Sequence, residues 1–270
     1  MLILVAIDGA SLLRPTASAA RSERERVRDA VHAACLLGHH HDLVVTHGSS
    51  LPHASQTRPT LPVDVEGAQT QGMYGYYLAQ AFTNALPEVR VVSFITQTEI
   101  AAHRVAPTTV AATATRPDLA ASRLDLDEPL RVLEMRTIQQ LVDVGTLVVC
   151  AGGGSIAVAR DEWGRLEPTG TVVSHEHLAA HLAEELDADA LLFLGSHDHI
   201  PEGGHDVHGR LPRGTSTHLQ GLKLTDPSLQ ITLAIGCAFT SRTGKPTMIG
   251  QLGEASRVLS GERGTTIYAE

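Results

Sequence analysis

The sequence predicts an α/β fold built on a largely parallel sheet, and three observations carry that prediction. Short apolar runs alternate with longer segments of helical periodicity along the chain. Four of the loops that follow those runs are rich in glycine, serine or histidine, and an open parallel sheet binds its ligands beyond the carboxyl ends of its strands. The 270 residues are 43% hydrophobic and 19% charged, which is ordinary for a globular chain with a sizeable core.

The apolar runs place strands at residues 2–7, 42–46, 90–95, 146–150, 190–194, 247–251 and 265–268. Helical patterns fall at about 20–37, 67–86, 129–144, 174–186 and 252–259. Ser174 and Asp226 are suited to N-caps, and Pro227 follows Asp226 at a first helical position. Residues 98–126, rich in Ala, Thr and Pro, and 196–224, rich in Gly and His, lack clear periodicity and read as long functional loops. With no repeat and no obvious linker, one domain over 1–270 is expected, with an N-terminal lobe to about 145 and a C-terminal lobe from about 146. Tyr74, Tyr76 and Tyr77 read as packing residues of a helix, and Cys35, Cys150 and Cys237 as core residues.

The formal net charge of −9 argues against nucleic acid as a partner. The apolar run 1–7 meets Asp8 at once and has no basic residue before it, so it reads as a strand and not a signal peptide. No stretch is long enough to span a membrane, and a cytoplasmic protein is expected. One imbalance stands out. The basic residues are 19 Arg and only two Lys, Lys223 and Lys245, while histidine reaches 15, with eight between His175 and His218.

Chemistry is expected in the loops 8–11, 47–50, 151–155 and 195–199. The Gly152–Gly154 triplet after an apolar strand suits backbone N–H groups that cradle an anion, although no Lys-Ser/Thr ending follows it. Residues 64–77 (DVEGAQTQGMYGYY), 133–145 (LEMRTIQQLVDVG), 148–158 (VVCAGGGSIAV), 186–192 (LDADALL), 248–252 (MIGQL) and 264–267 (GTTI) closely resemble characteristic segments of the carbamate kinases, within the amino acid kinase superfamily. The resemblance implies a three-layer αβα sandwich, a homodimer, carbamate on the N-terminal half and ATP with Mg on the C-terminal half. The partner it implies is a small carboxylate or acyl phosphate.

This sequence departs from the family pattern where phosphoryl chemistry is expected. A Gly-Gly-Asn triplet of the family corresponds to Asp8-Gly9-Ala10, and its His-Gly-Asn-Gly-Pro-Gln loop corresponds to His47-Gly48-Ser49-Ser50-Leu51-Pro52. A lysine in the family's lid has no counterpart in 98–126. Its Ile-Asp-Lys-Asp-Leu-Ala stretch aligns with 174–179, which puts Glu176 at the lysine. Its Gly-Ser-Met-x-Pro-Lys stretch aligns with 227–232, which puts Thr232 at the other. A carboxylate in place of an ammonium reverses the local field, worth several kcal/mol at about 4 Å and an effective dielectric near 20. Arginines such as Arg104, Arg123 or Arg242, or a metal on the added histidines, are the available compensation.

The candidate sites follow. Glu176, His175 and His177 are candidate catalytic groups; Gly9, Ala10, Gly48, Ser49, Ser50, Gly152, Gly153 and Gly154 are candidate anion contacts. Ser196, His197, Asp198 and Thr232 occupy the nucleotide-site equivalent. His177 and His181, at i and i+4, with His197 and His199, are candidate ligands for zinc or another divalent metal. His39, His40 and His41 sit at a helix end and read as capping groups. Three readings stand at this point: an altered carbamate-kinase-like enzyme, an inactive pseudokinase serving as a binding subunit, and a histidine-dependent metalloenzyme on the same fold.

Overall fold

The structure is a computed structural model and describes residues 1–12, 22–48, 61–101, 131–169, 173–201 and 209–270. All seven expected strands form, and all lie in one sheet. In chain order the elements of the main sheet are β1 (Leu2–Ile7), β2 (Asp42–His47), β3 (Arg90–Ser93), β6 (Thr146–Val149), β9 (Ala190–Gly195), β12 (Arg213–Thr215), β13 (Thr247–Gln251) and β14 (Thr265–Tyr268). Their spatial order is β12-β14-β13-β9-β1-β2-β6-β3. Every pairing is parallel except β13 with β14.

Strand alternation divides the core in two, because successive side chains leave opposite faces. Leu4, Ala6, Val44, Val148, Leu191 and Phe193 face one cluster, and Ile3, Val5, Ile7, Val45, Leu147 and Leu192 face the other. On the first face pack α4 (Met135–Asp143), α5 (His175–Glu185) and α7 (Pro227–Thr243); on the second pack α2 (Glu23–Cys35), α3 (Val63–Ala85) and α8 (Ala255–Leu259). The result is the three-layer αβα sandwich with a largely parallel central sheet. Two short helices, α1 (Gly9–Leu12) and α6 (Ser216–Gln220), complete the set among the described residues.

Helix ends follow local chemistry. Ser22 and Glu25 form a reciprocal capping box at α2, where Ser22 Oγ accepts from Glu25 N and Glu25 Oε2 accepts from Ser22 N. Asp226 Oδ1 accepts from the N–H groups of Ser228 and Leu229 and starts α7, which ends at Gly244 in the left-handed region. The body of α7 was not expected from periodicity, because its apolar residues run around the helix without a clean polar face.

Several boundaries differ from expectation. The 129–144 segment contains strand β5 (Arg131–Val132) before its helix begins at Met135, and the 252–259 segment opens with a turn of 3₁₀ helix, Leu252–Glu254. Helix α3 starts at Val63, where Asp64 and Glu66 favour the helix N-terminus. A second sheet, in the order β5-β4-β7-β8, was not expected; its other strands are β4 (Gln97–Glu99), β7 (Ile156–Arg160) and β8 (Leu166–Pro168). A two-strand ribbon joins β10 (Ile200–Pro201) to β11 (Arg210–Leu211). Cys35, Cys150 and Cys237 are buried and unpaired in disulfides, and burial pushes the Cys150 thiol up to about 12. Among the described residues, no helix is long and apolar enough to cross a membrane.

Candidate functional site

Parallel pairing brings the carboxyl ends of β1, β2, β6 and β9 to one edge of the sheet, so the four expected loops converge there. Their contacts are made through glycines. A Cβ on Gly48 would stand 2.8 Å from Gly9 N and 3.5 Å from His175 Nδ1. One on Gly152 would collide with the His47 ring, and one on Gly154 with the Val173 carbonyl. Gly195 faces Asp8, whose Cβ would lie 3.2 Å from an added methyl. Gly152 and Gly154 are therefore glycines because protein groups press against them. The imidazole and the carbonyl occupy the Cβ side of these two Cα atoms.

The 151–155 loop keeps an unusual backbone. Ala151 (φ 56), Gly153 (φ 64), Gly154 (φ 88) and Ser155 (φ 67) all lie in the left-handed region. A buried polar network holds this shape. Gln71 on α3 accepts from Thr96 N at 2.9 Å and donates to Thr96 O at 3.1 Å. Thr96 Oγ1 accepts from Ala151 N at 2.9 Å, and Thr96 O accepts from Ser155 Oγ at 2.7 Å. Neither Gln71 nor Thr96 stood out from the sequence as a site residue; the signal was a glutamine inside the 64–77 segment of an otherwise core-facing helix.

His47 ends β2 fully buried, its ring centroid 5.4 Å from that of Tyr74 with the planes tilted by 54°. Its Nδ1–H donates to the Gly48 carbonyl at 3.0 Å. Burial, with His175 nearby, pushes its pKa down to about 4, although the bond to Gly48 O works the other way. His47 is a neutral wedge between the loops. Of the tyrosines, Tyr74 is buried and Tyr76 is exposed.

The first turn of α5 carries the candidate catalytic groups. Ser174 caps the helix, accepting from His177 N, and its hydroxyl donates to Glu176 Oε2 at 2.6 Å. His175 is 9% exposed, with Nδ1 3.6 Å from Glu176 Oε1 and Nε2 buried without a hydrogen-bond partner. Burial alone would raise Glu176, but His175, Ser174 and its own backbone N–H hold it down at about 2. Glu176 is thus a carboxylate across the ordinary pH range. Burial lowers His177 to about 4, against the pull of Glu176, and its Nδ1 also lacks a partner.

The remaining expected residues divide. Ser196, His197 and Asp198 follow β9, and His197 Nε2 lies 3.3 Å from Asp226 Oδ2, which ties that loop to the start of α7. Thr232 donates to Ser228 O within its own helix at 3.1 Å. Gly9 and Ala10 open α1, and Ala10 N donates to Asp8 Oδ1 at 3.2 Å. Ser49, Ser50, Arg104 and Arg123 lie outside the described residues. Arg242 pairs with Glu184 at the far ends of α7 and α5, away from the loop edge.

The histidine metal site does not assemble as expected. His177 and His181 share α5, whereas His197 bonds Asp226 and His199 Nδ1 lies 3.3 Å from Asp198. Among the described residues, no group of three His, Cys, Asp or Glu side chains is placed to hold a metal ion. Lys245 approaches Asp187 and Asp189 at 3.8 Å, at the opening end of β9, and Lys223 is exposed.

Sheet order, loop edge and helix layers define a three-layer αβα sandwich with its candidate site at the strands' carboxyl edge, and comparison with known proteins gives its family. Residues 1–215 match the profile of the amino acid kinase family, and the chain belongs to that family. Within it the chain is carbamate-kinase-like. It is 28% identical to a carbamate kinase of Haemophilus influenzae, over 99% of this chain and 96% of that protein. It is 27% identical to a carbamate kinase of Rhizobium meliloti, over 99% and 93%. The fold matches a carbamate kinase from Giardia lamblia bound to AMP-PNP with a TM-score of 0.76 at 21% identity, covering 100% of this chain and 98% of that one.

Proposed function

We propose that this chain is a phosphotransferase of the carbamate kinase type whose cleft has been rebuilt around imidazoles. The substrate class is a small carboxylate, carbamate or the corresponding acyl phosphate, held between the Gly9, Gly48 and 151–155 loops, with ATP and ADP as the nucleotide pair. Family membership and the nucleotide analogue bound by the Giardia lamblia relative support the nucleotide. The proteins named carbamate kinase support the substrate class.

One observation carries the altered chemistry: a His175–Glu176 pair stands at the α5 N-terminus, beside Gly48 and Gly154. His175 Nε2 and His177 Nδ1 are unclaimed buried polar atoms of that turn, and His175, beside Gly48, is the group assigned to the substrate. Glu176, ionised and turned toward Ser174 and His175, orients that ring and would repel phosphoryl oxygens if it faced them. It is a positioning residue.

Incubation with ADP and carbamoyl phosphate, followed by measurement of ATP, tests this reading. Turnover by the wild type that falls roughly ten- to a hundredfold in His175→Gln is expected, the loss of one hydrogen bond to a charged group. No turnover, or turnover indifferent to the substitution, counts against it.

A second reading has its own observation. Among the described residues, the loops after β1, β2, β6 and β9 and the first turn of α5 carry Asp8, Glu176 and Asp198 but no Lys or Arg. Phosphoryl transfer depends on cancelling developing negative charge. A binding subunit without turnover accounts for that balance, and binding of carbamoyl phosphate without ATP formation would select it.

A further inference from the structure

On the sheet face opposite α5 and α7, a cavity of about 320 Å³ opens beyond the carboxyl ends of β9 and β13. That volume lies at the lower end of the range of small-molecule sites, about 300–1,000 Å³. Leu12, Ala30 and Leu252 give it an apolar wall, and Ser11, Arg26 and Gln251 a polar one. Ser11 and Gly195 bring it to the 8–11 and 195–199 loops, but neither Gly48 nor Gly152 lines it, and no role in the proposed reaction accounts for it.

Arg26 lines this cavity, and its Nε is buried without a hydrogen-bond partner. A guanidinium stays charged at every accessible pH, and a buried donor of a charged group left unpaired is costly. The acid three residues further along α2, Asp29, gives Oδ1 to Arg28, at 2.9 and 3.1 Å from its Nη2 and Nε. We infer that this cavity is a second ligand site, for a small organic monocarboxylate whose anionic end meets Arg26 and whose hydrocarbon body lies on the leucines. Among the described residues that line it, one guanidinium with a carboxylate on the same wall suits a single negative charge and disfavours a polyanion such as a nucleotide. The apolar wall selects against inorganic anions.

The inference is independent of the proposed reaction, and its test uses the full chain with benzoate as probe. Calorimetric titration of the wild type is expected to show saturable binding. Arg26→Met should weaken it roughly ten- to a hundredfold, and neutral benzamide should bind the wild type correspondingly less well. Gly253 lines the cavity, and a Cβ there meets nothing within 4 Å, so Gly253→Leu adds bulk at the site without a backbone clash. It should also abolish binding, and it decides the matter if Arg26→Met does not fold. His175→Gln should leave benzoate affinity unchanged. Absence of binding to the wild type, binding indifferent to Gly253→Leu, or loss of binding in His175→Gln, which would place benzoate in the cleft, each overturns the inference.

Discussion

His47 shows how one side chain organises the loop edge. Its ring fills the space over Gly152, its Nδ1–H is spent on Gly48 O, and its burial keeps it neutral. The consequence for stability has a definite sign. A histidine whose folded pKa lies below its unfolded value contributes fully above the unfolded pKa and loses that contribution as pH falls. His47 and His177, both near 4 against 6.5 unfolded, should therefore leave stability flat above about pH 6.5 and erode it down to about pH 4. The loss for His47 alone is on the order of 3 kcal/mol. Chemical denaturation across that interval checks it, and His47→Gln should flatten part of the slope. Gly152→Ala is the converse experiment: its methyl meets the His47 ring, so a loss of about 1–3 kcal/mol is expected in the same assay.

At the scale of elements, the helix starts carry testable weight. Asp226 caps α7 and reaches His197 across the loop edge, so Asp226→Ala removes a cap and an exposed ion pair together. The cap is worth about 1 kcal/mol and the exposed pair little, so melting should fall by roughly 2–4 °C. The Gln71–Thr96 network links α3 to the 151–155 loop through buried bonds. Gln71→Leu strands Thr96 N and should cost about 1–3 kcal/mol, with weaker binding of carbamoyl phosphate in the variant that still folds. The caps at Ser174 and Asp226 were legible because Ser and Asp before a helical pattern have few other uses. The short strands β4, β5, β7 and β8 were not, since pieces of two to five residues carry too little alternation to register, and β4 pairs with partners distant in sequence. A run of glycines announces close approach but not which atom approaches, and here the His47 ring meets Gly152 and the Val173 carbonyl meets Gly154.

Across the whole molecule, the sheet and its two core faces follow from the apolar runs, and the family segments locate the loop edge. What the sequence could not show is how charge is distributed there. The shortage of lysine was visible, and the structure adds that Arg242 is committed to Glu184 and Lys245 lies by Asp187 and Asp189, away from the loops. The histidine surplus suggested one metal centre, yet its members divide between α5 and the β9 loop, because clustering along a chain is not clustering in space. The proposed reading is that His175, oriented by Glu176, stands in for the family's lysine. The most direct test is the rate of ATP formation from ADP and carbamoyl phosphate by Glu176→Lys, which restores the family's residue type. The account predicts a rate below the wild type by about tenfold or more, since the ring of His175 loses its orienting carboxylate. A rate above the wild type would contradict it, by showing that the cleft still awaits its lysine.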